Sequence, residues 1–245
     1  MCETCEQETR KAKDLTRRKA LALGLGLVAA GAAPARTRAA SDAPPPKPEN
    51  VVSPDEALNR LMEGNARYVS GVTKRQDFVT ERQALVGGQN PYAGVLSCAD
   101  SRIGPEFAFD TGRGDIFVCR VAGNFVDADN LASFEYAVGE LNTPLIIVLG
   151  HESCGAVKAT ISSVEKHVTL PGHLPALVEA IAPAVEAVKS APGDLLMNVT
   201  RENVRRNVGA LTSATPILAA ATGEGGLKIV GGVYRQQTGQ VELLG

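Results

Sequence analysis

An α/β fold with a mostly parallel central β-sheet, about four parallel strands plus an antiparallel edge, flanked by helices, is what this sequence predicts. Three observations carry that prediction. Four short runs, 92–97, 116–122, 145–149 and 227–234, are largely apolar rather than alternating, as strands are when both faces of a sheet are covered. Stretches with helical spacing lie between them, and strands alternating with helices build parallel sheets. The chain closes on 230–234 and 240–244 across Thr238-Gly239, a hairpin pattern that adds the antiparallel edge.

The elements follow in order. Ser53-Pro54-Asp55-Glu56 opens a helix, with Ser as N-cap and Pro at the first helical position. Ala57, Leu58, Leu61, Met62 and Tyr68 continue it at helical spacing; Asn65 and Arg67 lie within it, and Gly71 marks its end. Leu131, Phe134, Val138 and Leu141 fall at i, i+3, i+7 and i+10, one stripe of a second helix. Segments 174–189 and 197–211 also read as helices. With no Trp and only 4% aromatic residues, the core between these elements is aliphatic. A length of 245 residues with 44% hydrophobic side chains suffices to bury it without staples. The formal net charge of −2 provides no basic face and so gives no reason to expect a nucleic-acid partner.

Charge is unevenly spread. Residues 1–40 hold eight basic and four acidic side chains, the remainder 17 and 23. Thr16-Arg17-Arg18-Lys19 precedes a weakly apolar Gly/Ala/Leu run over 20–33, and Ala33-Pro34-Ala35 and Ala39-Ala40-Ser41 offer cleavage points. That is the layout of an export signal, and the paired arginines resemble the twin-arginine type, whose cargo crosses already folded. The run is shorter than the roughly 20 residues a bilayer span needs, so no stable membrane span is expected after cleavage. Cys2 and Cys5 form a CxxC that would be discarded with the signal. Pro44-Pro45-Pro46 and Pro48 mark a linker. The expected organisation is a signal over 1–40, a linker over 41–52, and one globular domain over 53–245 with a periplasmic or other extracytoplasmic address.

Two segments bear chemistry: Leu96-Ser97-Cys98-Ala99-Asp100-Ser101-Arg102 and Leu149-Gly150-His151-Glu152-Ser153-Cys154-Gly155. Each follows an expected strand, and in open parallel sheets functional groups gather at the carboxyl edge. Cys98, His151 and Cys154 are therefore candidates to converge. Two thiolates and an imidazole suit Zn²⁺, and three protein ligands leave the fourth position that catalysis needs. Asp100 is the candidate for that fourth position or for a role beside it, with Arg102 able to hold its carboxylate by a bidentate pair. A disulfide between Cys98 and Cys154 is the competing reading for an exported chain. Cys119, in mid-strand, reads as a packed thiol, and His167 and His173 as exposed residues flanking a Pro-Gly turn.

Gly88-Gln89-Asn90-Pro91 leading into Ser97-Cys98-Ala99-Asp100-Ser101-Arg102, then Gly114-Asp115 through Arg120 to Gly123-Asn124, then Gly150-His151-Glu152-Ser153-Cys154-Gly155, resembles the β-class carbonic anhydrases. The resemblance runs from about residue 57 to 243. It implies a zinc hydro-lyase interconverting CO₂ and bicarbonate by a zinc-bound hydroxide, with one Zn²⁺ per chain on Cys98, His151 and Cys154. Asp100 and Arg102 would form the catalytic dyad, Asp100 also being able to ligate the metal in a closed state. Gln89 would donate to the substrate, Phe109 and Val121 would sit near the apolar pocket, and the N–H of Gly155 would face the site. A homodimer or higher homo-oligomer is implied as well. One branch of the family carries a Trp three residues before the first ligand Cys; Val95 stands there, so that branch's bicarbonate switch is not expected. COS or CS₂ as substrate, and a non-catalytic zinc protein, are the rival readings.

Overall fold

The computed structural model describes residues 51–245; the expected export signal with Arg17-Arg18, the Cys2/Cys5 pair and nearly all of the expected linker lie outside the described residues. The chain runs α1 (Pro54–Val69), α2 (Phe78–Ala84), β1 (Ala93–Ser97), α3 (Pro105–Ala108), β2 (Ile116–Arg120), α4 (Ala128–Gly139) and β3 (Leu145–His151). It continues through α5 (Gly155–Lys166), α6 (Pro175–Val188), α7 (Leu195–Thr212), α8 (Ile217–Gly223), β4 (Lys228–Tyr234) and β5 (Val241–Leu244). No described helix is long and apolar enough to cross a membrane.

The sheet order is β2-β1-β3-β4-β5; the first four strands are parallel and β5 pairs antiparallel with β4. β3 explains why the strand runs do not alternate. Leu145, Ile147 and Leu149 join one core cluster with Ala57, Leu61 and Phe109, so that face is covered by α1 and the end of α3. Ile146 and Val148 join another with Phe134, Val204, Leu211 and Leu218, which α4, α7 and α8 supply. Each such side chain contributes about 1.5–3 kcal/mol by leaving water, and neither face tolerates a polar residue. Gly150 and Gly231 let α7 approach closely, because a Cβ on either would lie 2.6 Å from the Val204 side chain.

Local signals decide the helix ends. Ser53 caps α1 with its Oγ accepting from the Glu56 N–H at 3.2 Å, and Pro54 occupies the first turn. Asp127 and Asn130 form a reciprocal capping box on α4, which ends at Gly139, leaving Leu141 of the expected stripe outside it. Four helices escape the sequence reading. α2, α3 and α8 span seven, four and seven residues, too few turns to express a stripe. α5 is longer, and its Val157, Ile161 and Val164 fall at i, i+4 and i+7 and pack into one core cluster, a stripe the sequence reading did not use.

Asn65 ties α1 to the far end of the chain. Its Nδ2 donates to the carbonyls of Ala108 and Gly239, and its Oδ1 accepts from the Val241 N–H, each at 2.8 Å. The residue is 2% exposed, so Asn65→Ala strands three buried backbone groups. Unmatched buried groups cost about 1–3 kcal/mol each; we expect a loss of roughly 3 kcal/mol in denaturant unfolding.

Candidate metal centre

β1 and β3 are parallel neighbours, with Ser97 opposite Leu149. Whatever follows Ser97 and whatever closes β3 must therefore leave the sheet at one edge. Cys98 follows β1 directly, His151 is the last residue of β3, and Cys154 occupies the N-cap of α5. Ser153 adopts φ 55°, the left-handed turn that reverses the chain between β3 and α5 and returns Cys154 to the edge. One ligand atom from each of Cys98, His151 and Cys154 lies within 4.8 Å of the others, and all three residues are buried.

The donors fit a metal ion. The two sulfurs stand 3.9 Å apart, close to the roughly 3.8 Å separating two thiolates at about 2.3 Å on one tetrahedral ion. That spacing is nearly twice the roughly 2.0 Å of a disulfide bond, and both cysteines are free; the disulfide reading is corrected accordingly. His151 Nε2 is buried with no hydrogen-bond partner, a cost that a metal would remove. Its Nδ1 lies 2.8 Å from the Glu152 carbonyl oxygen, so Nδ1 carries the proton and Nε2 presents its lone pair.

The contact between the two sulfurs shifts them in opposite directions. The Cys154 thiol, 3.9 Å away, lowers the Cys98 pKa to about 4, helped by the amides of Gly123 and Asp100, against burial. The same contact, with burial, pushes Cys154 upward, opposed by the amides of Val157 and Ala156 in the first turn of α5. A metal held by both sulfurs would require both in the thiolate form. The Gly123 N–H reaches Cys98 Sγ at 3.3 Å because Gly123 takes φ +90°, and a Cβ there would lie 2.5 Å from Ile181.

Asp100 stands outside the three-donor group. Arg102 grips it: Nε donates to Oδ1 at 2.9 Å, Nη2 to Oδ2 at 2.7 Å, and the Arg102 backbone N–H to Oδ1 at 3.0 Å. The guanidinium holds the Asp100 carboxyl well below the usual carboxylate range, and is itself raised.

Arg120, which sequence reasoning passed over, anchors this loop. At the end of β2 its Nε donates to the Cys98 carbonyl at 3.0 Å, and Nη2 donates to the carbonyls of Asp100 and Ile103 at 2.7 and 2.9 Å. The available signal was a charged residue closing an otherwise apolar strand. Arg120→Met removes all three anchors, and we expect roughly tenfold weaker metal binding by chelator competition, since partners that orient ligands are worth about 10–100-fold.

The remaining expected site residues are dispersed. Gly155 opens α5 beside Cys154. Phe109 is fully buried in the cluster on the α1 face. Val121 packs half-buried in the cluster on the opposite face. Gln89 is exposed in the segment before β1. Cys119 is half-buried in β2, its thiol raised chiefly by burial, and lies outside the metal group. His167 and His173 are exposed.

A family model described as carbonic anhydrase matches residues 93–241. The carbonic anhydrase of Mycolicibacterium smegmatis is 38% identical over 192 residues, which cover 78% of this chain and 93% of that one. Among solved structures, the β-carbonic anhydrase CcaA superposes with a TM-score of 0.59 at 26% identity, covering 77% of this chain and 92% of that one. The fold is shared with tetrameric β-carbonic anhydrases of Sordaria macrospora, TM-score 0.60 at 23% identity, covering 78% and 95%.

Proposed function

This chain belongs to the β-class carbonic anhydrases, a carbonate dehydratase for which CO₂ hydration is the expected reaction, and we propose that it works with one zinc ion held by Cys98, His151 and Cys154. The observation that carries the metal reading is the buried, unpartnered His151 Nε2 facing two sulfurs 3.9 Å apart. Zinc there would supply Lewis acidity, making water a nucleophile near neutral pH.

The chain's own groups do the rest. Asp100, kept anionic by Arg102, is the hydrogen-bond acceptor that orients the attacking water, and its two oxygens are oriented by the fork of that guanidinium. Held this way it is directed toward Arg102 rather than toward the thiolates; release from Arg102 would free it to ligate. On the family match, Gln89 and the Gly155 N–H are assigned to substrate; Phe109 and Val121 pack on opposite faces of the sheet, so the two do not line one pocket within a single chain. Assembly as a homodimer or larger is consistent with the exposed apolar side chains Val72, Phe78, Val79 and Phe107. The basic, Arg17-Arg18-containing N-terminus supports export by the twin-arginine route to an extracytoplasmic space.

Stopped-flow CO₂ hydration on zinc-quantified protein tests this reading. We expect about one zinc per chain, as a single three-donor site requires, and turnover of CO₂. A zinc-loaded chain inactive on CO₂ at neutral and alkaline pH, or one that turns over only COS or CS₂, overturns it.

A further inference from the structure

His151 has a second partner that neither its motif nor its strand provides. The side-chain amide of Gln236 lies 3.2 Å from Nδ1, on the opposite side of 85 residues of chain. It arrives there because His151 pairs with Tyr234 across β3 and β4, and the turn after β4 carries Gln236 back over the ring.

That turn is fastened. The Gln236 backbone N–H donates to Glu152 Oε2 at 3.0 Å, and Arg235 Nη1 donates to Glu152 Oε1 at 2.6 Å. Arg235 Nη2 binds Glu242 Oε2 at 2.7 Å, and Arg201 lies 3.5 Å from the same oxygen. The residue after the metal-side histidine therefore grips Gln236 with its carboxylate while its carbonyl grips Nδ1.

The proton inventory orients the amide. The Glu152 carbonyl only accepts, so Nδ1 donates, and a second N–H donor at 3.2 Å would face it unfavourably. The two ends of a glutamine amide differ only in which atom is nitrogen; the end that suits Nδ1–H is the oxygen. We infer that Gln236 is a positioning residue for the metal ligand His151: it accepts from Nδ1–H alongside the Glu152 carbonyl, locks the tautomer that bares Nε2, and raises its basicity toward a divalent cation.

This inference rests on the metal reading above, and its test separates the two. Zinc affinity of the full chain, stripped of metal, is measured by competition with a chromogenic chelator for wild type, Gln236→Leu and Gln236→Glu. Gln236 borders a cavity of about 560 Å³, so the replacements have room. Leucine keeps the bulk but removes the acceptor, and we expect zinc binding weaker by roughly 10–100-fold. Glutamate restores an acceptor, and we expect affinity equal to wild type or tighter. Should the leucine variant fail to fold, Gln236→Asn withdraws the amide by one methylene and is expected to show the same loss. Wild-type affinity in the leucine variant, or equal losses in the leucine and glutamate variants, overturns the role of Gln236 alone. A wild type that takes up no zinc overturns this inference together with the reading beneath it.

Discussion

His151→Ala is expected to empty the site and abolish activity while the sheet stays folded. Metal content should fall from about one ion per chain, the stoichiometry of a single three-donor site, to near zero, and CO₂ hydration to the uncatalysed rate. The reason is arithmetic: groups that merely orient a ligand are worth roughly 10–100-fold in affinity, and His151 Nε2 is a donor itself, 1% exposed and with no alternative partner. Cys154→Ser should do the same, since a hydroxyl does not ionise to replace a thiolate. Cys119→Ser is the control. Its thiol packs in β2 away from the three donors, so metal content and rate should be retained. The measurements are elemental analysis, stopped-flow hydration and far-UV circular dichroism on the same samples. Retention of wild-type metal by His151→Ala would end the assignment.

Asp100→Asn is expected to separate metal binding from chemistry. The amide matches the carboxylate in shape but loses the charge that Arg102 grips at 2.7 and 2.9 Å, and it is a weaker hydrogen-bond acceptor for the water. Misorienting a reacting group costs about 10²-fold in rate, and we expect a fall of that order with metal content unchanged. Arg102→Ala approaches the same dyad from the other side: Asp100 keeps its charge but loses its orientation, so the rate should fall again. A variant Asp100→Asn that loses metal in proportion to activity would instead make Asp100 a ligand of the resting site.

Particular residues show how far the sequence could be read. The β3 run declares itself because two opposed aliphatic faces need five successive apolar residues, Leu145 to Leu149, whatever the rest of the chain does. Ser53, Pro54 and Gly71 mark the ends of α1 for reasons contained within a few peptide units. The three candidate metal donors were legible for a similar reason: Cys98 directly follows β1, His151 closes β3 and Cys154 opens the next helix three residues on, and strand ends in a parallel sheet share an edge. α5 escaped the reading although Val157, Ile161 and Val164 fall at i, i+4 and i+7 and pack into one core cluster; the signal was there, and the metal motif at its start drew the reading instead. Arg120 and Gln236 were harder still. Neither has a local pattern; each acquires its role from what the neighbouring strand brings alongside.

Local chemistry in the chain alone thus determined the α/β class, the parallel strands with their antiparallel edge, and the candidacy of Cys98, His151 and Cys154 as a metal-binding group. Those properties depend on periodicity and on residue type, which act over a few bonds. Tertiary structure alone decided that the two sulfurs stand 3.9 Å apart as free thiols, that Arg102 holds Asp100 outside the donor group, and that Gln236 meets His151. The sulfur spacing and the Gln236 contact follow from the strand order β2-β1-β3-β4-β5, and strand order is settled by which apolar faces bury one another, a competition among all elements at once.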